Sequence, residues 1–90
     1  MKTIKITTAF KKDIKRIKKR NKDLQKLYWV VEQIAQGGQL EKKYYVHQLI
    51  GNYRNKWECH IEPDWLLIYE INNNNIVILY RTGSHSDLFT

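Results

Sequence analysis

The sequence predicts an α+β fold, with an N-terminal strand and an αα-hairpin packed on a mainly antiparallel sheet of four or five strands. Apolar residues recur at helical spacing up to about residue 36, and their period changes to two after about residue 43. Gly37 and Gly38 separate the two regions. Ninety residues suffice for one domain, residues 1–90, with one modest core.

The N-terminal elements follow from apolar spacing and from capping residues. Residues 2–6 are typical of a short strand, and Thr7 or Thr8 can cap the helix that follows. Phe10, Ile14 and Ile17 make one apolar stripe on that first helix. After a break at residues 20–22, a second helix carries the stripe Leu24, Leu27, Tyr28, Val31, Ile34 and Ala35. Gly37 and Gly38 end this helix and complete a helical hairpin.

The C-terminal half is predicted to form strands and turns. Cys59 and Ile61 alternate with Glu58, His60 and Glu62, so we expect a strand with His60 facing outward and both glutamates beside it. Pro63 interrupts this run. Residues 65–71 and 76–80 are two further strands, joined by a turn of four asparagines. Both strands are apolar on both faces, which is typical of strands that are covered on both sides.

The positive charge is concentrated in the first half of the chain. Residues 1–45 hold thirteen Lys and Arg against four acids, a net +9, whereas residues 46–90 hold three against five, a net −2. We expect the basic helix to contact the phosphates of RNA or of the ribosome, although a solvated helix face is the alternative. The residues of this basic face are Lys11, Lys12, Lys15, Arg16, Lys18, Lys19 and Arg20.

Several classes of protein do not match the composition. No stretch approaches the ~18 apolar residues of a membrane-spanning helix, so no membrane contact is expected. The N-terminus is too polar for a secretory signal, and a cytoplasmic location is expected. The single cysteine, Cys59, excludes an internal disulfide.

The titratable residues of the second half are candidates for acid–base chemistry. His47, His60 and His85 all lie there, and Asp64 follows His60 across the proline. Histidine titrates near neutral pH, and RNA cleavage needs one group to remove the 2′-OH proton and another to protonate the 5′-oxygen. Arg81 is a cation suited to the phosphate. Three histidines and an aspartate also match a tetrahedral zinc site, but no cofactor is expected.

Two segments carry a resemblance to a known family. The strings HIEPDWLLIY at residues 60–69 and RTGSHSDLF at residues 81–89 resemble signature segments of YafQ-type toxins, in the RelE/ParE toxin–antitoxin superfamily. The resemblance covers nearly the whole chain. It implies a RelE-like twisted sheet of microbial-ribonuclease type. It also implies an mRNA interferase that cuts codons in the ribosomal A site.

The resemblance also implies partners. They are the ribosome with its 16S RNA, the mRNA, and a small acidic antitoxin that silences the toxin. Operator DNA is expected only through the antitoxin complex. The alternative function is a non-catalytic, ParE-like interaction module.

The family's functional positions are present as His47, His60, Asp64, Trp65, His85 and Phe89. We expect His85 to be the general acid and His60, assisted by Asp64, the base, with roles open to exchange. His47 and Arg81 would stabilise phosphate charge, and the products would carry 2′,3′-cyclic phosphates.

Further positions bear on how the substrate is held, and Trp65 and Phe89 are among the expected substrate contacts. Phe89 is a candidate platform for base stacking, or else a residue docked on the core. The family often has an arginine three residues before the histidine that is His60 here, and this chain has Trp57 instead. By strand alternation Trp57 is expected to pack with Cys59. Arg54 and Lys56 are therefore the candidate phosphate contacts.

Overall fold

The computed structural model describes residues 1–53 and 55–89, without the side chain of Asn52. Its elements are β1 (Thr3–Ile6), α1 (Thr8–Lys19), α2 (Leu24–Ala35), β2 (His47–Gln48), β3 (Trp57–Glu62), β4 (Trp65–Ile71), β5 (Ile76–Gly83) and α3 (His85–Phe89). Short 3-10 turns cover Lys42–Tyr44 and Gly51–Tyr53. Arg54, a candidate phosphate contact from the sequence, lies outside the described residues.

The strands form one sheet in the order β1-β5-β4-β3-β2. Neighbours pair antiparallel except β1, which runs parallel to β5. Parallel strands need a long crossover, and here the first strand of the chain lies beside the last. The prediction of an α+β fold with a mainly antiparallel sheet of four or five strands is confirmed.

The caps and turns hold the element ends where the sequence places them. The Thr7 side chain accepts a hydrogen bond from the Phe10 amide at 3.0 Å, and Asp23 accepts one from the Gln25 amide at 3.0 Å. These bonds satisfy helix amides that have no partner within the helix. At the β4–β5 turn, Asn75 adopts φ 63°, the left-handed geometry that asparagine tolerates.

The sheet is covered on both faces, as the apolar strands predict. One face packs on α1 and α2, and its core contains Phe10, Ile17, Leu27, Cys59 and Leu67 among others, with Trp57 partly buried against it. The other face holds a smaller cluster in which Leu66, Ile68 and Leu88 meet Leu49, Tyr53 and Tyr80. His47 and His60 lie on this second face, since they pair with Glu58 and Leu66.

The apolar stripe of α2 is rotated from its predicted position. Tyr28 was expected to be buried and is instead exposed, whereas Val30 is buried. The buried residues of this helix centre on Leu27, Val31 and Ile34, so Tyr28 lies at the margin of the stripe. Its ring lines an apolar groove between α1, α2 and β1.

A buried carboxylate joins α1 to β5. Asp13 is 1% exposed and accepts hydrogen bonds from Arg81 Nε at 2.7 Å, Arg81 Nη2 at 3.1 Å and the Thr82 amide at 3.1 Å. The Thr82 hydroxyl accepts a bond from the Trp65 indole at 2.9 Å and donates one to the Leu66 carbonyl at 2.7 Å. The network continues from the basic helix to the centre of the sheet. A buried carboxylate persists when it is paired and hydrogen-bonded in this way.

A second carboxylate holds the C-terminal helix. Asp87 accepts from Arg20 Nη1 at 2.6 Å and Nη2 at 3.1 Å, and from the Ser84 amide at 2.9 Å. These bonds hold the pKa of Asp87 well below its usual range, the Arg20 guanidinium being the largest cause. Gly83 permits this approach, because a Cβ added there would lie 2.8 Å from Asp87 Oδ2.

Asp13→Ala is expected to lower the free energy of unfolding by about 3 kcal/mol or more, because it leaves the Arg81 guanidinium and the Thr82 amide without their acceptor. Urea unfolding followed by circular dichroism measures this loss. Asp23→Ala, which removes an exposed helix cap, is the matched control, with an expected cost of about 1 kcal/mol. Equal losses for the two variants would contradict the role given to Asp13.

Asp87→Asn is expected to destabilise the protein at pH 7 and to have less effect in acid. The lowered pKa of Asp87 means that its ionised form adds stability above pH about 4, and that this stability is lost as the pH falls toward the lowered pKa. Thermal unfolding between pH 7 and pH 2 tests the trend. Arg20→Gln should remove most of this pH-dependent stability, because Arg20 is its largest cause, and the double variant should lose little more than Asp87→Asn alone. A pH-independent difference would show that the ion pair is not its source.

Candidate active site

Strand pairing brings His47 and His60 to one carboxylate. His47 on β2 pairs with Glu58 on β3, and His60 lies two residues further along the same face of β3. Glu58 is only 4% exposed, and its Oε1 lies 3.4 Å from His47 Nε2 and 3.5 Å from His60 Nε2. A carboxylate at this distance stabilises positive charge on either ring.

Backbone carbonyls fix the orientation of both rings. His47 Nδ1 lies 2.9 Å from the Tyr45 carbonyl, and His60 Nδ1 lies 3.2 Å from the Pro63 carbonyl. A carbonyl only accepts hydrogen bonds, so each Nδ1 carries a proton and donates it. The basic site of each neutral ring is therefore Nε2, the atom that faces Glu58.

His85 is held by Asp64 at the start of α3. Asp64 Oδ1 accepts from the His85 amide at 2.9 Å and lies 3.0 Å from His85 Nδ1. These two bonds, the backbone one first, lower the pKa of Asp64 below its usual value. Asp64 was expected to assist His60, but the structure places it on His85. His85 Nε2 has no hydrogen-bond partner among the described residues, and the side chain is 57% exposed.

The rings form a continuous row on this face of the sheet. The centroids of His47 and His60 are 6.5 Å apart, and those of His60 and His85 are 5.9 Å apart. Tyr45 lies against His47 and His60, with centroid distances of 5.2 and 5.5 Å. The structure therefore places the three predicted histidines and Asp64 together, as neighbours on one exposed face.

Two predicted substrate contacts have different surroundings. Phe89 is exposed, and its ring centroid lies 6.1 Å from that of His85 and 5.7 Å from that of Tyr53. Trp65 is 1% exposed and donates its indole hydrogen bond to Thr82 in the core. The structure thus places Trp65 inside the protein, because its β4 side chain lies on the helix-covered face.

The cations near the site are partly engaged. Arg81 donates two hydrogen bonds to Asp13. These bonds are the main reason why the pKa of its guanidinium is raised. Lys56 lies with its Nζ 4.4 Å from the Tyr80 ring centroid, a cation–π distance. In the contacts that the structure shows, neither the Arg81 guanidinium nor the Lys56 ammonium group binds a histidine.

The basic face of α1 divides into two groups. Arg16 lies 3.4 Å from Asp13 and 3.7 Å from Asp87, and Arg20 binds Asp87, so these arginines join elements of the fold. For Arg16 and Arg20 the expectation of a free RNA-binding cation does not match the geometry. The exposed lysines of this face fit a polyanion contact: Lys11, Lys12, Lys15, Lys18 and Lys19.

Three features of the site differ from, or were missed by, sequence reasoning. Glu58 is predicted beside His60 on an outward face, but it is buried beneath the rings of His47 and His60. The sequence signal for this position is the spacing of two residues, which puts Glu58 on the same face of the strand as His60. Glu62 leaves the site, because the bulge between His60 and Glu62 turns it toward Lys22 and Lys26, at 2.9 and 2.8 Å. Tyr45 had no signal in the sequence.

Neither a metal site nor a membrane span is found in the described ranges, 1–53 and 55–89. No group of three or more His, Cys, Asp or Glu side chains there is placed to hold a metal ion. No helix there is long and apolar enough to cross a membrane.

Comparison with known proteins agrees with this geometry. The family model described as a bacterial toxin of type II toxin–antitoxin systems, YafQ, matches residues 2–90. The mRNA interferase toxin YafQ of Escherichia coli strain K12 is 33% identical over 87 residues, which cover 96% of this chain and 94% of that protein.

Solved structures superpose over almost the whole chain. A metal-bound toxin from Helicobacter pylori has a TM-score of 0.93 at 43% identity and covers 99% of this chain and 100% of its own. The E. coli DinJ–YafQ complex gives a TM-score of 0.89 at 33% identity, with 100% of both chains covered. On a match of this extent, the chain belongs to the YafQ family of type II toxin–antitoxin toxins.

Proposed function

We propose that the chain is an mRNA interferase, an endoribonuclease that cleaves mRNA in the ribosomal A site by acid–base catalysis without a metal. The observation that carries the proposal is the pairing of His85 with His60. Their ring centroids lie 5.9 Å apart on an exposed face, and Asp64 orients His85 with its Nε2 outward. Two titratable rings at this separation can serve one phosphate from two sides. Membership of the YafQ family supports the same activity.

The proposed base is His60. Its Nε2 accepts the proton of the 2′-OH, and the 2′-oxygen attacks the adjacent phosphorus. Glu58, 3.5 Å from Nε2, stabilises the imidazolium that forms. The Pro63 carbonyl accepts a hydrogen bond from His60 Nδ1 and fixes the ring. The ring therefore needs no reorientation to take up the 2′-OH proton at Nε2.

The proposed acid is His85. Asp64 accepts its Nδ1–H, so the Nε2–H of the protonated ring is left to donate to the 5′-oxygen as the P–O bond breaks. The products are a 2′,3′-cyclic phosphate and a 5′-OH. His47, held between the Tyr45 carbonyl and Glu58, stabilises the charge of the phosphate by donating a hydrogen bond. Arg81 remains a predicted phosphate contact, although the structure commits its guanidinium to Asp13.

The partners follow from this reaction. The ribosome presents the mRNA, and the exposed lysines of α1 are suited to 16S RNA phosphates, since phosphate binding is dominated by Lys and Arg. A cognate antitoxin binds the toxin, as DinJ binds YafQ in the E. coli complex. Operator DNA is contacted through that complex. We place the single domain, residues 1–90, in the cytoplasm, where translation occurs.

His85→Ala is expected to lower the rate of mRNA cleavage at least about 100-fold, the typical contribution of one general acid. Primer extension on mRNA from an in vitro translation reaction gives the rate and the cut sites. The unfolding temperature should stay close to that of the unmodified protein, because the His85 side chain is 57% exposed. His85→Gln, which keeps a donor but cannot titrate near pH 7, should be equally slow. Cleavage by folded His85→Ala at the unmodified rate would contradict the assignment.

A further inference from the structure

We propose that Tyr45 and the groove beside it bind one nucleotide of the RNA strand, on the far side of the histidine row from Phe89. The inference rests on the proposed function, because it describes how the same site holds its substrate. The ligand class is a single-stranded RNA nucleotide, with its base stacked on an aromatic ring.

The groove opens directly from the catalytic face. It has a volume of about 960 Å³, and its walls come from α2, from the turn at residues 42–45 and from the β3–β4 turn. Trp29, Tyr44, Tyr45, His60 and Pro63 are among its lining residues. Because His60 is part of the wall, a strand bound at the histidines continues into the groove.

The walls present flat aromatic surfaces to solvent. Trp29 is exposed and stacks on Tyr44, with centroids 5.7 Å apart and planes at 30°. Tyr45 is 66% exposed. Neighbouring aromatic faces that stay open to water are typical of recognition surfaces, and every nucleobase has a flat face that can stack on them.

Tyr45 is held in an uncommon backbone conformation. It has φ 49° and ψ 52°, the left-handed region, which a bulky residue rarely occupies. In this conformation its carbonyl lies 2.9 Å from His47 Nδ1, and its ring lies at 84° to that of His60 with centroids 5.5 Å apart. Strain of this kind persists where the surrounding structure requires it, and it is common at functional sites. One residue thus orients a histidine and presents a free aromatic face beside it.

The charges along the groove suit a nucleotide. Glu62 is neutralised by Lys22 and Lys26, and the Asp23 carboxylate caps α2. Lys43 Nζ lies 5.3 Å from the Tyr44 ring centroid. A flat apolar surface next to a cation matches a nucleobase with its phosphate better than it matches an acidic helix of a protein partner.

The two ends of the histidine row complement each other. Tyr45 lies at one end, beside His47 and His60, and exposed Phe89 lies at the other, beside His85. A phosphate between His60 and His85 has one base on each side along the strand. Each base then has a platform of its own, and the pair fixes the phosphate between the two titratable rings.

Tyr45→Leu tests the platform, with Tyr28→Leu as the matched control. Tyr28 is also exposed, but it lines the separate groove beside β1. We expect Tyr45→Leu to lower kcat/KM for mRNA cleavage about tenfold or more, mainly through KM, because one stacked base is lost. Tyr45→Trp should restore KM toward the unmodified value, and Tyr28→Leu should resemble the unmodified protein.

Binding provides a readout that does not depend on cleavage. In a His85→Ala background, a short single-stranded oligoribonucleotide should bind about tenfold more weakly when Tyr45 is also changed to leucine. This result would support the platform even if cleavage assays contradicted the proposed function. An unmodified protein that fails to cleave mRNA would contradict the proposed function alone.

Three outcomes would overturn the platform. The first is Tyr45→Leu behaving as Tyr28→Leu in both assays. The second is a fall in kcat with KM and oligonucleotide binding unchanged, which would mean that the ring only positions His47 and His60. The third is weaker antitoxin binding with unchanged RNA binding, which would assign the groove to a protein partner.

Discussion

The buried Asp13 carboxylate is the contact on which the arrangement of the site depends. It lies on the basic helix, yet it binds the Arg81 guanidinium and the Thr82 amide of β5. Thr82 in turn holds Trp65 and the Leu66 carbonyl of β4. Three residues after Thr82, His85 begins α3, which Arg20 of the basic helix clamps through Asp87. The helix that carries most of the charge therefore also fixes the strand end that carries His85.

The charges of the chain divide into structural and available groups. Asp13 and Asp87 take up Arg16, Arg20 and Arg81, whose planar guanidinium groups suit paired hydrogen bonds to carboxylates. The lysines of α1 stay exposed, which suits long-range attraction of a polyanion. On the opposite face of the sheet, Glu58 serves the histidines instead. Its buried carboxylate lies 3.4 Å from His47 Nε2 and 3.5 Å from His60 Nε2.

The sequence predicted the fold well, because its signals are local. Helix spacing, the cap at Thr7 and the asparagine turn each act within a few residues. The three histidines and Asp64 were also predicted as one site, through the strings around His60 and His85. What was missed depends on contacts between distant residues. The bulge after His60 moves Glu62 away, Asp64 reaches His85 rather than His60, and Trp65 turns into the core. Tyr45 depends on a left-handed backbone that no spacing pattern indicates.

The chemistry of the cut ends tests the central claim most directly. If His60 and His85 transfer the protons, the upstream fragment of mRNA cut by this toxin ends in a 2′,3′-cyclic phosphate and the downstream fragment begins with a 5′-OH. The cleavage rate should also be the same with and without a chelator such as EDTA, once the assay's own magnesium requirement is matched. Upstream ends bearing a 3′-OH, downstream ends bearing a 5′-phosphate, and loss of cleavage in chelator would contradict the account, because they indicate a metal-activated water as nucleophile.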